Sequence, residues 1–232
     1  MTVTILDDTG SEVYKLIMLR KNILTTGSIY HIFNRGVNKN DIFFSTTDYK
    51  RFMATAIHYK NFTHKFTAFA LSDPVSEKLQ KKKMESPKIQ IFAYCLMPNH
   101  FHLLVKQLEE GGITWFMQHL SNSYVHYVNL KNDRVGPLFQ GRFKNVLVDS
   151  DEQLLHVSRY IHLNPLVSNL TSDLKTYPWS SYPSYLSNYN DNLSEPEFIL
   201  SNYKTRRDYE KFVLDQVDYG ATLEYIKHHI LD

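Results

Sequence analysis

The sequence predicts an α+β domain with a ferredoxin-like split βαβ pattern, an antiparallel sheet, and helices on one face of that sheet. Two observations support this prediction. Four short segments have the apolar, β-branched and aromatic composition of strands, and three longer segments carry helical apolar spacing or helix-start signals. Their order along the chain is strand, helix, strand, strand, helix, strand, helix, which is the order of a split βαβ fold.

The four predicted strands are bounded by residues that interrupt a sheet. The first strand covers residues 28–34, and the fourth covers 142–148. Between them, the apolar run 91–105 is predicted to form two strands, because Pro98 cannot donate a hydrogen bond to a sheet ladder.

The three predicted helices show apolar stripes or start signals. Phe52, Ala56 and Tyr59 are spaced as one helix face, and a second stripe runs through 113–131. The third helix is predicted to begin at Ser150, a cap-type residue followed by acidic side chains. We expect it to end at Pro165.

This pattern divides the chain into three parts. We expect the domain itself to cover residues 28–186, preceded by an N-terminal appendage at 1–27. The remaining residues, 187–232, are predicted to be a C-terminal helical extension with helices at 205–218 and 222–231.

The composition is that of a globular protein and excludes several other classes. Hydrophobic residues make up 43% of the chain and charged residues 22%, which excludes an intrinsically disordered chain. Cys95 is the one cysteine, which excludes an intrachain disulfide or a Cys-based zinc site and fits a reducing, cytoplasmic location. No apolar run reaches the length of a membrane span. The net charge of +2 is too small to establish nucleic-acid binding by itself.

Two histidines in the strand pair are the first candidate functional residues. Side chains alternate along a strand, so His100 and His102 point to one face and Phe101 points to the other. Most His-x-His pairs are surface or core histidines. This pair, however, interrupts an otherwise apolar strand, where two polar rings need a partner. Two imidazoles about 7 Å apart along a strand can converge on one metal ion.

A tyrosine on the third helix is the second candidate. Tyr160 and Asn164 are four residues apart and share one helix face. Most helix tyrosines are core or rim residues, but a tyrosine hydroxyl can also be a covalent nucleophile. Attack on a phosphodiester needs a cation to offset the developing charge. His100, His102 and Asn164 would hold that divalent ion, Mg²⁺ or Mn²⁺, and imidazole ligands favour Mn²⁺.

Five motifs together resemble a known family. Residues 94–105 (YCLMPNHFHLLV) resemble the His-hydrophobic-His (HUH) motif of single-tyrosine transposases, and 160–165 (YIHLNP) resemble the tyrosine motif of their REP-associated branch. Three further segments resemble the same branch and occur in the expected order: 30–36 (YHIFNRG), 139–143 (FQGRF) and 178–182 (PWSSY).

The resemblance implies a reaction and assigns residues to it. In this family the tyrosine attacks single-stranded DNA, forms a 5′-phosphotyrosine and leaves a free 3′-OH. The resemblance makes Tyr160 the nucleophile and His100 and His102 metal ligands. Asn164 stands where other single-tyrosine transposases place a Gln ligand.

The expected partner is single-stranded or hairpin DNA, held by cations near the site. Arg142 and Lys144 alternate with Phe143 and are therefore expected to face one side, although ordinary amphipathic alternation would give the same pattern. Asn34 and Arg35, at the end of the first strand, complete the predicted DNA-binding set.

Two other functions remain open at this point. One is a non-cleaving regulatory protein, derived from a transposase, that binds hairpin DNA. The other is a metal-dependent phosphodiesterase that uses water and forms no adduct with DNA. For the leading function we expect a monomer in which Tyr160 serves its own chain's metal site, with a dimer as the alternative.

Overall fold

A computed structural model describes residues 4–6, 12–14, 24–66 and 86–215. The first two of these segments are short strands, β1 (Thr4–Leu6) and β2 (Glu12–Tyr14), which pair with each other in antiparallel fashion. They fall within the expected appendage at 1–27.

The central sheet has four antiparallel strands in the order β4-β5-β3-β6. They are β3 (Ile29–Arg35), β4 (Ile89–Met97), β5 (His100–Gln107) and β6 (Lys144–Val148). Strands β4 and β5 form a hairpin around Pro98, and β3 lies between β5 and β6. This is the order of a split βαβ sheet, so the predicted fold class is confirmed.

Two long helices cover the first face of the sheet. Helix α1 (Thr46–Asn61) and helix α2 (Gly112–Lys131) pack against Phe101, Leu103 and Val105 of β5. These three residues alternate with the histidines, as the period of a strand requires. The prediction that Phe101 points to the face opposite His100 and His102 is therefore confirmed.

The second face of the sheet is also covered by helices, which corrects the expectation that all helices lie on one face. Helix α3 (Asp151–Val167) packs there, together with three shorter helices: α4 (Tyr182–Leu186), α5 (Glu197–Leu200) and α6 (Arg206–Leu214). The physical reason lies in β4, where Ala93, Cys95 and Met97 point to this face and need apolar cover. A continuous apolar run such as β4 is typical of a strand buried on both faces.

The outer edge of β4 is covered by the 178–182 motif. The Leu96 N–H donates to the Trp179 carbonyl (2.8 Å), and the Ser181 N–H donates to the Tyr94 carbonyl (3.0 Å). Tyr177 and Tyr185 donate their hydroxyls to the carbonyls of Leu96 and Phe92, respectively. These bonds satisfy an edge that would otherwise expose unpaired backbone groups.

Some predicted boundaries differ from those in the structure. Helix α3 begins after Ser150, whose side chain accepts a hydrogen bond from the Gln153 N–H, as expected. It does not end at Pro165 but at Val167. Proline removes one N–H donor, and the turn continues because the Ser168 N–H donates to the Asn164 carbonyl (3.0 Å).

The described part of the C-terminal extension contains two short helices, α5 and α6, separated by non-helical segments. Helix α6 begins after Thr205, which forms a capping box with Asp208, and it matches the first part of the helix predicted at 205–218. The helix predicted at 222–231 lies outside the described residues. Within the described residues, no helix is both long and apolar enough to cross a membrane.

Candidate active site on the second face of the sheet

The two central strands bring the predicted histidines to the second face of the sheet. In the register of β3 with β5, His100 pairs with Arg35 and His102 pairs with Phe33. The imidazole ring centres of His100 and His102 are 4.9 Å apart. The strand geometry thus places both rings on the side covered by α3.

Tyr160 on helix α3 lies against these histidines. Its ring meets His102 edge-on, with the ring centres 5.4 Å apart, and it is partly buried in the cluster under α3. One chain therefore brings the predicted nucleophile and one predicted metal ligand together.

A third histidine, His31 on β3, completes this cluster and was missed in the sequence analysis. Its Nε2 lies 2.9 Å from Nδ1 of His102, and the two rings stack with centres 5.0 Å apart. Its ring also meets Tyr160 edge-on at 5.9 Å. The sequence contained one signal for His31, a histidine inside an apolar strand. It could not show that His31 contacts His102, because that contact depends on the register of β3 with β5.

His100 is held by Asn99, in the turn between β4 and β5. Its Nδ1 lies 2.6 Å from Oδ1 of Asn99. The amide of Asn99 in turn donates to the Lys39 carbonyl (3.0 Å). Both candidate ligands thus use Nδ1 for a hydrogen bond to a neighbour, as metal-binding histidines commonly do with their second nitrogen.

Asn164 lies one turn after Tyr160 and is 1% exposed. Its Nδ2 donates to the Tyr160 carbonyl (2.7 Å), while its Oδ1 is buried without a hydrogen-bond partner. Leaving such an acceptor unsatisfied costs about 1–3 kcal/mol, so this oxygen is suited to a ligand.

The expected ligands, two imidazoles and one amide oxygen, are of the kinds that a divalent ion with mixed nitrogen and oxygen coordination accepts. Among the residues described, no group of three or more His, Cys, Asp or Glu side chains is arranged to hold a metal. A carboxylate-rich two-metal site is therefore not formed in this part of the chain. Two imidazoles and the Asn164 oxygen remain, a set suited to Mn²⁺ as well as Mg²⁺.

The three predicted basic residues differ in exposure and in their position relative to β3 and β6. Arg35 lies opposite His100 in the register, and its Nε is buried without a hydrogen-bond partner. Lys144 is exposed at the start of β6 and pairs with Phe33, so it shares the face of His102. Arg142 is exposed and precedes the strand, because β6 begins at Lys144 and not at residue 142.

Asn34 lies at the end of β3, as predicted, and its side chain is engaged within the protein. It is buried, its Nδ2 donates to the Gly141 carbonyl (3.0 Å), and its Oδ1 accepts from the Arg35 N–H (2.9 Å). A contact with DNA would require breaking these bonds. Asn34 therefore holds the loop before β6, and its contact with DNA stays a prediction.

Buried polar contacts of His162 fix the orientation of helix α3. Its Nδ1 lies 2.7 Å from the Tyr209 hydroxyl, and its Nε2 lies 2.7 Å from the Ser181 hydroxyl. The Tyr209 hydroxyl continues the chain by donating to Ser158 (3.3 Å). A neutral imidazole can donate at one nitrogen and accept at the other, and full burial lowers the pKa of His162 to about 3. This network joins the tyrosine helix to the 178–182 motif and to α6.

The tyrosines of helix α2 are poor alternatives to Tyr160. Tyr124 is fully buried and donates its hydroxyl to the Ile42 carbonyl (2.7 Å), and burial raises its pKa. Tyr127 donates to Asp48 (2.8 Å), and burial together with this hydrogen bond raises its pKa. Both pack in the cluster on the first face, away from the histidines.

The loop after β3 is fastened to the hairpin that carries His100. The Ile42 and Phe43 N–H groups both donate to the Pro98 carbonyl, and the Gly36 N–H donates to the Asn99 carbonyl. A Cβ atom at Gly36 would overlap the Asn40 carbonyl oxygen, so only glycine fits this turn. The turn itself therefore requires the glycine of the Asn34-Arg35-Gly36 sequence.

Comparisons with known proteins agree with this architecture. The family model described as "Transposase IS200 like" matches residues 29–164. A protein of Haemophilus influenzae named "Putative REP-associated tyrosine transposase" is 26% identical over 125 residues, which cover 48% of this chain and 70% of that protein.

A solved structure shows the same fold. It is described as a REP-associated tyrosine transposase bound to a REP hairpin, and it matches with a TM-score of 0.51 at 16% identity. The match covers 77% of this chain and 92% of that one. The resemblance drawn from the five motifs is confirmed at the level of the family: the chain belongs to the IS200-like transposase family, and both similar proteins described above are named REP-associated tyrosine transposases.

Proposed function

We propose that this chain is a metal-dependent endonuclease and strand transferase that cuts single-stranded DNA near hairpins through a 5′-phosphotyrosine. The observation that carries the proposal is the contact between Tyr160 and His102 within one chain, with ring centres 5.4 Å apart. This contact favours a monomer that acts in cis.

Tyr160 supplies the nucleophile of the first step. Its hydroxyl oxygen attacks the phosphorus of a phosphodiester and loses its proton, the P–O3′ bond breaks, and the 3′ oxygen takes up a proton and leaves as the 3′-OH. The phosphate remains on the tyrosine at the 5′ end of the other strand segment. A later attack by a 3′-OH on this ester reverses the bonds and joins DNA, so the bond energy is stored without ATP.

The metal would be held by His100, His102 and Asn164. Nitrogen Nε2 of each histidine is the proposed ligand atom, because Nδ1 makes the hydrogen bonds to Asn99 and His31. The buried Oδ1 of Asn164 is the proposed third protein ligand. When bound, the divalent ion polarises a phosphate oxygen and offsets the charge that develops there.

Cations at the rim are proposed to hold the DNA backbone. Arg35 is the innermost, and its buried Nε, which lacks a protein partner, is suited to a phosphate oxygen. Arg142 and Lys144 are exposed at and just before the start of β6. Hairpin DNA is the proposed substrate because one solved relative is bound to a REP hairpin.

The test is a covalent-adduct assay. Single-stranded hairpin DNA labelled at each end in turn is incubated with Mn²⁺ and the protein, and adducts are separated on a denaturing gel. We expect an adduct with the segment 3′ to the cut, which Tyr160→Phe abolishes. Tyr189→Phe, at a 63% exposed tyrosine, is the matched control and should keep the adduct.

Other results would support the alternatives. Hairpin binding without cleavage would favour the regulatory protein. Cleavage without any adduct would favour the phosphodiesterase that uses water.

A further inference from the structure

We propose that His31 is a positioning residue that fixes the tautomer of His102, so that Nε2 of His102 presents its lone pair to the metal. The inference rests on the proposed function, because it concerns the same metal site. It assigns a role to a histidine outside the HUH motif.

The geometry places His31 beside His102 and away from the surface. The two residues lie on the central strands β3 and β5, and they are 8% and 6% exposed, respectively. Nε2 of His31 and Nδ1 of His102 are 2.9 Å apart, a normal hydrogen-bond distance. The stacked rings are inclined by 27°.

One hydrogen lies between these two nitrogens. The nitrogen to which it is bonded decides whether Nε2 of His102 can bind a metal. A neutral imidazole carries one N–H and one lone pair. If Nδ1 of His102 donates, its Nε2 has the lone pair and can bind a metal. If Nε2 of His31 donates instead, the N–H of His102 moves to Nε2 and ligation there is blocked.

The surrounding rings keep this pair in place. Tyr160 meets both imidazoles edge-on, at 5.9 Å from His31 and 5.4 Å from His102. Phe33 contacts both as well, with ring centres at 5.1 Å and 6.0 Å. His31 therefore acts through His102, in the way that outer hydrogen-bond partners orient metal-bound histidines.

The first experiment measures Mn²⁺ binding without DNA. Free Mn²⁺ is followed by electron paramagnetic resonance at fixed pH for the wild type, His31→Leu, His31→Gln and His102→Ala. Leucine fills the space but accepts no hydrogen bond, whereas the glutamine oxygen can accept one from Nδ1 of His102. We expect His31→Leu to weaken Mn²⁺ binding by about 10–100-fold and His31→Gln to stay close to the wild type, with thermal unfolding recorded for each variant.

Three outcomes separate this inference from the proposed function. If His102→Ala loses affinity for Mn²⁺ and His31→Leu does not, the inference about His31 is wrong and the proposed metal site is supported. If glutamine weakens binding as much as leucine, the accepted hydrogen bond is not what matters, and the inference is again wrong. If His102→Ala binds Mn²⁺ as well as the wild type, the metal site itself is wrong.

A second experiment needs no metal and no folded variant of His31. Long-range ¹H–¹⁵N spectra of histidine-labelled wild-type protein report the tautomer of each ring, and His102→Ala identifies the His102 signals. We expect His102 to carry its hydrogen on Nδ1. A hydrogen on Nε2 of His102 would overturn the inference whatever the metal data show.

Discussion

The buried His162 is expected to make the stability of the fold depend on pH. In the unfolded chain a histidine has a pKa of about 6.5, whereas burial lowers the pKa of His162 to about 3 in the folded protein. Between these values the unfolded state binds more protons than the folded state. Stability therefore falls as the pH is lowered through this window, and it is fully present above about pH 7.

The size of the effect follows from the two pKa values. At pH 5 the unfolded histidine is almost fully protonated and the folded one is neutral, so His162 lowers the free energy of unfolding by about 2 kcal/mol relative to pH 7. The matched variant is His162→Gln, which keeps polar atoms for Tyr209 and Ser181 but does not titrate. At pH 7 it should be less stable by about 1–3 kcal/mol, because its hydrogen bonds fit less well.

Urea unfolding at pH 7 and pH 5 measures this difference. We expect the wild type to lose about 2 kcal/mol more than His162→Gln between the two pH values. The exposed His156 on the same helix provides a control variant, His156→Gln, which should behave as the wild type. Equal losses in the wild type and His162→Gln would refute the reasoning.

A lower limit of pH 5 excludes the titration of Asp48 from the measurement. Burial alone would raise the pKa of Asp48, but hydrogen bonds from Lys131, Tyr127 and its other donors lower it overall. A carboxylate with a lowered pKa loses its stabilising effect only as the pH falls through and below its unfolded pKa of about 3.9. The range from pH 7 to pH 5 therefore leaves Asp48 out, and the comparison with His162→Gln removes the contribution of the other histidines.

The remaining predictions concern cleavage and assembly. Tyr160→Phe should reduce cleavage to background while hairpin affinity, measured by filter binding, stays within a few-fold of the wild type; persistent cleavage with an adduct would place the nucleophile elsewhere. His100→Ala and His102→Ala should each abolish metal-dependent cleavage and leave the circular dichroism spectrum unchanged, and activity in the double variant would contradict the metal site. Replacing both Arg142 and Lys144 with Ala should weaken binding and lower the slope of log affinity against log salt by about 1.4 for single-stranded DNA; an unchanged slope would show that these cations do not contact phosphate. Mixing Tyr160→Phe chains with chains that lack both metal-site histidines should give no cleavage, because Tyr160 serves its own chain; recovery of cleavage would demonstrate sites shared between subunits.

The order of elements and much of the local structure could be predicted from the sequence, because short-range rules govern them. Pro98 separates β4 from β5, and Ser150 caps helix α3. Strand alternation alone placed His100 and His102 on the side opposite Phe101.

The candidate site depends on information that is not local. Strand register decides that His31 meets His102, and a shift of one residue would turn the His31 side chain to the other face. The contacts of Asn34 also depend on residues that are distant in the sequence. Its position at the end of a strand led to the prediction that it contacts DNA. Its neighbours in space, Gly141 and the backbone of Arg35, engage its amide within the protein.

The sequence by itself determined which residues are the candidates for the chemistry: two histidines on one strand face, and a tyrosine and an asparagine on one helix face. Only the tertiary structure decided that α3 crosses the second face of the sheet and brings Tyr160 against His102 in the same chain. The physical reason is that periodicity fixes the direction of a side chain relative to its own element. The face against which that element packs is decided by which apolar surfaces, here both sides of β4, remain to be covered.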